Sequence, residues 1–260
     1  MNISGLQIEQ YMAVFMFTSL RMFGLFLTAP MLAFRNLPIS YRLMFCLVFA
    51  FYMAPFLSSE NLVNPNSTMT FVMSATELAI GAFIGYVIRI GFMAVEIAAE
   101  FLSFQAGFSF ASSFFHDPTL DSGLMAQFFG LIIIALCFAL NIHLVLLDAV
   151  IESFKTAPFG VWPINWTSKS ILNLVIVSFR LGLIMSMPIL LVYVMFNLTQ
   201  AFLGRTSPQM NLFSVGFAIS IPLAFWVVMM ILPDLRSILE RTLENPMLLI
   251  RDGLGVPIAQ

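Results

Sequence analysis

Four ionisable side chains stand inside one apolar run, roughly 69–104: Glu77, Arg89, Glu96 and Glu100. Charge at membrane depth usually faces a bundle interior or a water-filled cavity, because hydrocarbon cannot solvate it. On a helix, Arg89, Met93, Glu96 and Glu100 fall at i, i+4, i+7 and i+11 and share one face. Glu96 and Glu100, one turn apart, repel each other and call for a cation or water nearby. The stripe of intramembrane charges Arg89, Glu96 and Glu100 reads as pore lining or as a subunit interface. The alternative is a helix end at the headgroups, which suits Glu100 better than Arg89. His143 and Asp148 could form a proton relay, but five residues apart they do not share a helical face well, and interfacial capping is the better reading. The segment GFSFA (107–111) misses a nucleophile elbow, having Ala111 where the second glycine belongs, and no phosphate-binding loop is present. His116 and His143 are too few and too scattered for a metal site. Cys46 and Cys137 lie in apolar runs and read as small buried hydrophobes rather than a disulfide. The expectation is no catalytic residue, no metal and no cofactor.

The elements that carry these charges are membrane helices. The chain has 260 residues, 60% hydrophobic and 9% charged, where a soluble domain has about a quarter charged. It reads as an all-α membrane protein with about six long, partly broken hydrophobic helices. The formal charge of −2 and the lack of any basic run argue against nucleic acid. The first residues lack a cationic region and carry Glu9, so no cleavable signal is expected. Apolar runs cover 11–34, 43–59, 69–104, 124–151, 171–203 and 212–233. The second is barely long enough to cross, and the third is too long for one straight span. Gly81 and Gly85 form a GxxxG pair that lets a neighbouring backbone approach, and Ala94 and Ala98 repeat the spacing. Pro188 should kink the fifth run. That run also carries a polar stripe of Tyr193, Asn197, Gln200 and Gly204. Trp162 and Trp166 read as an interface belt. Residues 234–245 read as a short amphipathic helix that Pro246 ends.

Residues 101–130, between the third and fourth runs, are not a simple loop. Gly107, Pro118 and Gly123 break any helix there, and Phe108, Phe110, Phe114 and Phe115 sit among Ser109, Ser112 and Ser113. Irregular backbone at membrane depth survives only where protein buries it or where it lines a cavity. Two readings fit: a segment projecting into a pore, or a re-entrant or interfacial loop packed on its own helices. Residue types alone favour the second.

Six spans would put both termini on one side, but the loop charges disagree about which. Arg35, Arg42 and Arg205 fall on one face; Lys155, Lys169, Arg236, Arg241 and Arg251 fall on the other. Either one run does not cross, or partner subunits rather than lipid hold the helices.

Residues 208–217, PQMNLFSVGF, resemble the signature of the FliR family of flagellar export-gate proteins. The segment 141–160 extends the resemblance through His143, Leu144, Ser153, Phe154 and Pro158. Length, run spacing and the FQAGFSF stretch also fit, so nearly the whole chain is covered. The Gly216–Phe217 pair favours a flagellar member over the related injectisome proteins. Ala218 departs from the family's usual proline. The resemblance implies a subunit that joins FliP and FliQ in a helical pore, raised largely out of the bilayer plane. Unfolded rod, hook and filament subunits would pass through it. It implies a FliP-like part at 1–170 and a FliQ-like helical hairpin with an amphipathic tail at 171–260. It implies a pore plug at about 105–123, carried by Gln105, Gly107, Phe108, Phe110, Phe114 and Phe115, which reverses the reading from residue types. It also implies a partner-binding tip and helix start at Arg205, Pro208, Gln209, Met210, Asn211, Phe213 and Gly216, with the tip meeting FlhB in the cytoplasm. FlhA, membrane lipid and unfolded export substrates complete the implied partners, and the bacterial inner membrane, at the flagellar basal body, the implied location. The rival readings are a secondary transporter with its site at broken helices, an injectisome subunit, an intramembrane enzyme using His143 and Asp148, and a purely structural ring nucleator. A transporter of that kind usually shows paired interruptions in two halves, which this sequence lacks.

Overall fold

The computed structural model describes residues 5–30, 38–57, 68–107, 124–163, 166–207 and 212–254. These form eight α-helices: α1 Gly5–Thr28, α2 Ile39–Met53, α3 Thr68–Gln105, α4 Leu124–Ala139, α5 Ile142–Thr156, α6 Ser168–Thr206, α7 Leu212–Ile231 and α8 Leu235–Leu254. Short 3-10 turns follow α2 and α7, and no strand occurs among the described residues. Among the described residues five helical stretches are long and apolar enough to cross a membrane, or six where α4 and α5 count together as one bent span. The expected set of about six long, partly broken apolar helices is what forms.

Local chemistry sets the ends. α1 stops at Thr28, just before Ala29–Pro30, because the residue ahead of proline is pushed out of the helical region. α3 stops where Gly107 takes φ 79°, the left-handed conformation that glycine enters without strain, and its N–H closes a turn onto the Phe104 carbonyl. α4 and α5 are separated by Asn141 at φ 55°, a conformation asparagine tolerates better than most residues. The apolar run 124–151, read as continuous, is therefore two helices.

The fifth run, expected to kink at Pro188, is one helix of 39 residues with that proline inside it. The expectation about Pro246 fails. The last helix does not end at Pro246 but continues to Leu254. Each proline removes one backbone hydrogen bond, yet the apolar face runs on. Leu239 and Leu243 before Pro246, and Ile250 after it, are all buried. Packing of that face outweighs one missing bond.

The chain divides into two compact units interleaved in sequence. The first comprises residues 1–90, 140–173 and 245–260; the second comprises 91–139 and 174–244.

In the first unit, α1 and α3 cross at glycines. A Cβ on Gly81 would overlap the Arg21 carbonyl, and one on Gly24 would overlap the Leu78 carbonyl. One on Gly85 would lie 2.8 Å from the Ala29 nitrogen. The Thr28 hydroxyl sits in the same crossing and donates to the Ala82 carbonyl at 2.9 Å. The GxxxG reading of Gly81 and Gly85 is realised as backbone contact. The tryptophans divide: Trp162 is exposed, but Trp166 is buried, its ring 4.3 Å from that of Phe83 and close against Gly253. Trp166 is thus core rather than belt, packed on Phe83 of α3 as Gly160 is on Met73.

In the second unit, the end of α3 offers a smooth face of Ala98, Ala99, Leu102 and Ala106. It packs against Ile189 and Tyr193 of α6 and Ala224, Val227 and Val228 of α7. Gly182 of α6 meets Ala94, so the second small-residue spacing on α3 also serves a close approach.

Candidate functional site

The second unit brings together two stretches that the sequence singled out separately. Gln105 is the last residue of α3, half-buried, and Gly107 follows it. A Cβ on Gly107 would lie 3.4 Å from the Phe217 ring, so the root of the expected plug rests on the last residue of the PQMNLFSVGF segment. One turn further along α7, the buried Ser220 hydroxyl faces two carbonyls, Ala106 at 3.0 Å and Phe217 at 3.2 Å. The Ala106 carbonyl is one of those a helix end leaves without an intrahelical donor, and Ser220 satisfies it. Ser220 is fixed in turn by α6: the Tyr193 hydroxyl donates to its carbonyl at 3.0 Å, with Tyr193 0% exposed. Gly216, buried, receives the Gln200 amide, which a Cβ there would meet at 2.6 Å. The Gln200 amide nitrogen is buried with no hydrogen-bond partner among the described residues.

The polar stripe on α6 therefore has structural work at two of its four positions, Tyr193 and Gln200, while Asn197 is exposed. Arg205 is exposed in the last turn of α6, and Phe213 lies in the first turn of α7. Phe108, Phe110, Phe114 and Phe115 of the expected plug, and Pro208, Gln209, Met210 and Asn211 of the expected tip, lie outside the described residues. Arg89, Glu96 and Glu100 are all exposed on α3. His143 is half-buried and Asp148 exposed on α5. This geometry pins one end of a helix with hydrogen bonds and an aromatic ring.

Sequence reasoning missed a second polar node, in the first unit. Arg21 of α1 is buried and donates from Nε to Glu77 of α3 at 2.7 Å; both side chains are 0% exposed. Its Nη1 donates to the Ser153 hydroxyl at 2.9 Å and its Nη2 to the Ala157 carbonyl at 3.1 Å. The guanidinium lies 4.1 Å from the centre of the Phe154 ring, close enough for a cation–π contact. The other Glu77 oxygen accepts the Gly160 N–H at 2.9 Å. One ion pair thus ties α1, α3, α5 and the following turn. Ser153 and Phe154, seen in the sequence only as parts of a family segment, both touch Arg21. The available signal was complementary charge: one arginine in the first run and one glutamate early in the third.

The profile of the family described as "Bacterial export proteins, family 1" matches residues 12–245. Flagellar biosynthetic protein FliR of Escherichia coli K12 is 26% identical over 257 residues, covering 97% of each chain. The FliR protein of Caulobacter vibrioides is 29% identical over 227 residues, covering 85% of this chain and 88% of its own. That of Bacillus subtilis 168 is 26% identical over 242 residues, covering 89% and 92%. With its family profile matched across the apolar helices, the chain belongs to the FliR family of bacterial export proteins and is a membrane component of flagellar export.

Proposed function

We propose that this chain forms, with FliP- and FliQ-type subunits, the pore of a flagellar export gate through which unfolded rod, hook and filament subunits pass. The observation that carries the reading is the anchored end of α3. Gly107 and Ala106 are held by Phe217 and Ser220, so the segment that starts at Gly107 leaves from a fixed root. That segment, about 105–123, is the plug. Its Phe108, Phe110, Phe114 and Phe115 seal the pore against ions and water, and they swing aside for a passing chain. Residues 1–170 form a FliP-like part and 171–260 a FliQ-like hairpin. The tip from Arg205 to Asn211, with Phe213 and Gly216 behind it, meets FlhB on the cytoplasmic side, with FlhA nearby.

Helix length supports a setting among partner subunits. α3 has 38 residues and α6 has 39. At 1.5 Å per residue each is roughly 57 Å long, about twice the hydrocarbon thickness of a bilayer. Leu172, Ile176, Met187, Leu191, Leu198 and Phe202 keep α6 apolar and exposed along its length. Protein rather than lipid covers the surplus, in a gate raised largely out of the inner membrane at the flagellar basal body. This also accounts for loop charges that disagree about sidedness.

The test is deletion of residues 108–115 in a motile host, with membrane ion permeability as the readout. The expected result is a leaky membrane whose leak depends on the FliP- and FliQ-type subunits. An intact ion barrier, with the mutant chain present in the assembled gate, would overturn the plug.

A further inference from the structure

The hydroxyl of Ser220 in α7 has two acceptors within reach. It lies 3.0 Å from the Ala106 carbonyl at the end of α3 and 3.2 Å from the Phe217 carbonyl of its own helix. A serine hydroxyl carries one hydrogen, so it bonds only one of these fully at a time. Inside a helix, a serine or threonine ordinarily bonds back to the preceding turn. Buried Ser186 reaches the Leu183 carbonyl in this way at 2.8 Å, and buried Thr242 the Leu239 carbonyl at 2.9 Å. At Ser220 the same contact is the longer of the two, and the one to α3 is shorter. The hydrogen therefore points to Ala106. Turning it onto Phe217 frees the end of α3 without stranding Ser220 as an unpaired donor at a buried position. The other side of the junction is fixed. Tyr193 of α6, 0% exposed, donates to the Ser220 carbonyl at 3.0 Å and holds that backbone in place.

We propose that Ser220 is a positioning residue for gating: its hydroxyl holds the end of α3 in the closed arrangement and turns to Phe217 when the gate opens. The proposal rests on the reading of 105–123 as a plug and adds how that plug is held at its root. Phe217 serves both arrangements. Its ring lies under Gly107 in the closed one, and its carbonyl receives the Ser220 hydroxyl in the open one. The hold is one neutral hydrogen bond, which shifts a two-state ratio by about fivefold. It biases the resting gate shut and does not lock it.

The test compares Ser220→Ala, Ser220→Cys and Ser220→Thr in a flagellated host, beside the deletion of residues 108–115. Ion leak and secretion of flagellar subunits are each scaled to the amount of chain in the assembled gate. Threonine keeps the hydroxyl, cysteine keeps the shape with a weaker donor, and alanine keeps neither. Leak should rise about fivefold in Ser220→Ala, less in Ser220→Cys, and stay at the parent level in Ser220→Thr. Secretion per gate should not fall in any of them. A role in packing alone would instead lower the amount of assembled gate and leave leak per gate unchanged, and that result overturns the proposal. So does a leak in Ser220→Thr equal to that in Ser220→Ala, or secretion per gate that falls as leak rises. If Ser220→Ala does not assemble, the contrast between cysteine and threonine decides. Parent-level leak in the serine variants while the deletion leaks sinks the Ser220 hold and leaves the plug standing. Parent-level leak in the deletion as well sinks both.

Discussion

Removing Glu77 should expose how strongly the first unit depends on one ion pair. In Glu77→Ala the Arg21 guanidinium stays buried with the Ser153 hydroxyl, the Ala157 carbonyl and the Phe154 ring, but without its counter-charge. The Gly160 N–H loses its acceptor as well. Breaking a buried pair from one side is destabilising by about 3–5 kcal/mol, whereas replacing both partners by apolar groups of similar volume is often neutral or better. Glu77→Ala should therefore lower the melting temperature of the detergent-solubilised chain by roughly 6–20 °C, at about 2–4 °C per kcal/mol. Arg21→Met combined with Glu77→Leu should recover most of that loss. Glu77→Gln, which keeps an acceptor and a similar shape, should fall between. The measurement is a thermal melt of the four proteins followed by fluorescence-detected size exclusion. Glu77→Ala melting within about 2 °C of the parent would refute the reasoning, as would a double variant that melts no higher than Glu77→Ala.

Three further outcomes follow from the geometry. Gly81→Ala places a methyl on the Arg21 carbonyl and should destabilise by about 3 kcal/mol, read as loss of folded protein in detergent. Gly107→Ala forces φ 79° on a residue with a Cβ; at about 1–2 kcal/mol it should leave folding intact, lower the melting temperature slightly and raise ion leak in cells. Tyr193→Phe removes one buried hydroxyl donor to Ser220, and should lower stability by about 1 kcal/mol in the same melt, without loss of the fold.

What the sequence made legible was local. Most of the apolar runs, the stop at Gly107 and the close-approach spacing at Gly81 and Gly85 each depend on residue type and short-range spacing, and these form as read. The pairing of Arg21 with Glu77 spans 56 positions; periodicity says that each charge needs a partner but not which partner. Pro246 was misread because a rule for isolated helices ignores packing, and the buried face of α8 carries the helix past it. Asn141 divides an apolar run with no glycine or proline at the break, so breaker residues gave no warning. Trp166 was assigned to an interface because tryptophan suits one; the fold of the 157–166 connection decides otherwise. Of the candidate site, the motif and the helix stop at Gly107 were each visible in the sequence, but not that Phe217 would rest against Gly107.

The Arg21–Glu77 pair also bears on how the chain is made. The first hydrophobic segment, Glu9–Thr28, leaves the ribosome with an arginine inside it, and an arginine near the middle of a segment disfavours insertion by about 2.5–3.5 kcal/mol. Its counter-charge is translated 56 residues later, a delay of roughly 3–11 s at ordinary elongation rates. Throughout that interval Arg21 lacks the partner that the folded chain gives it. Its burial is therefore a joint event of α1 and α3, completed only after α3 has been made.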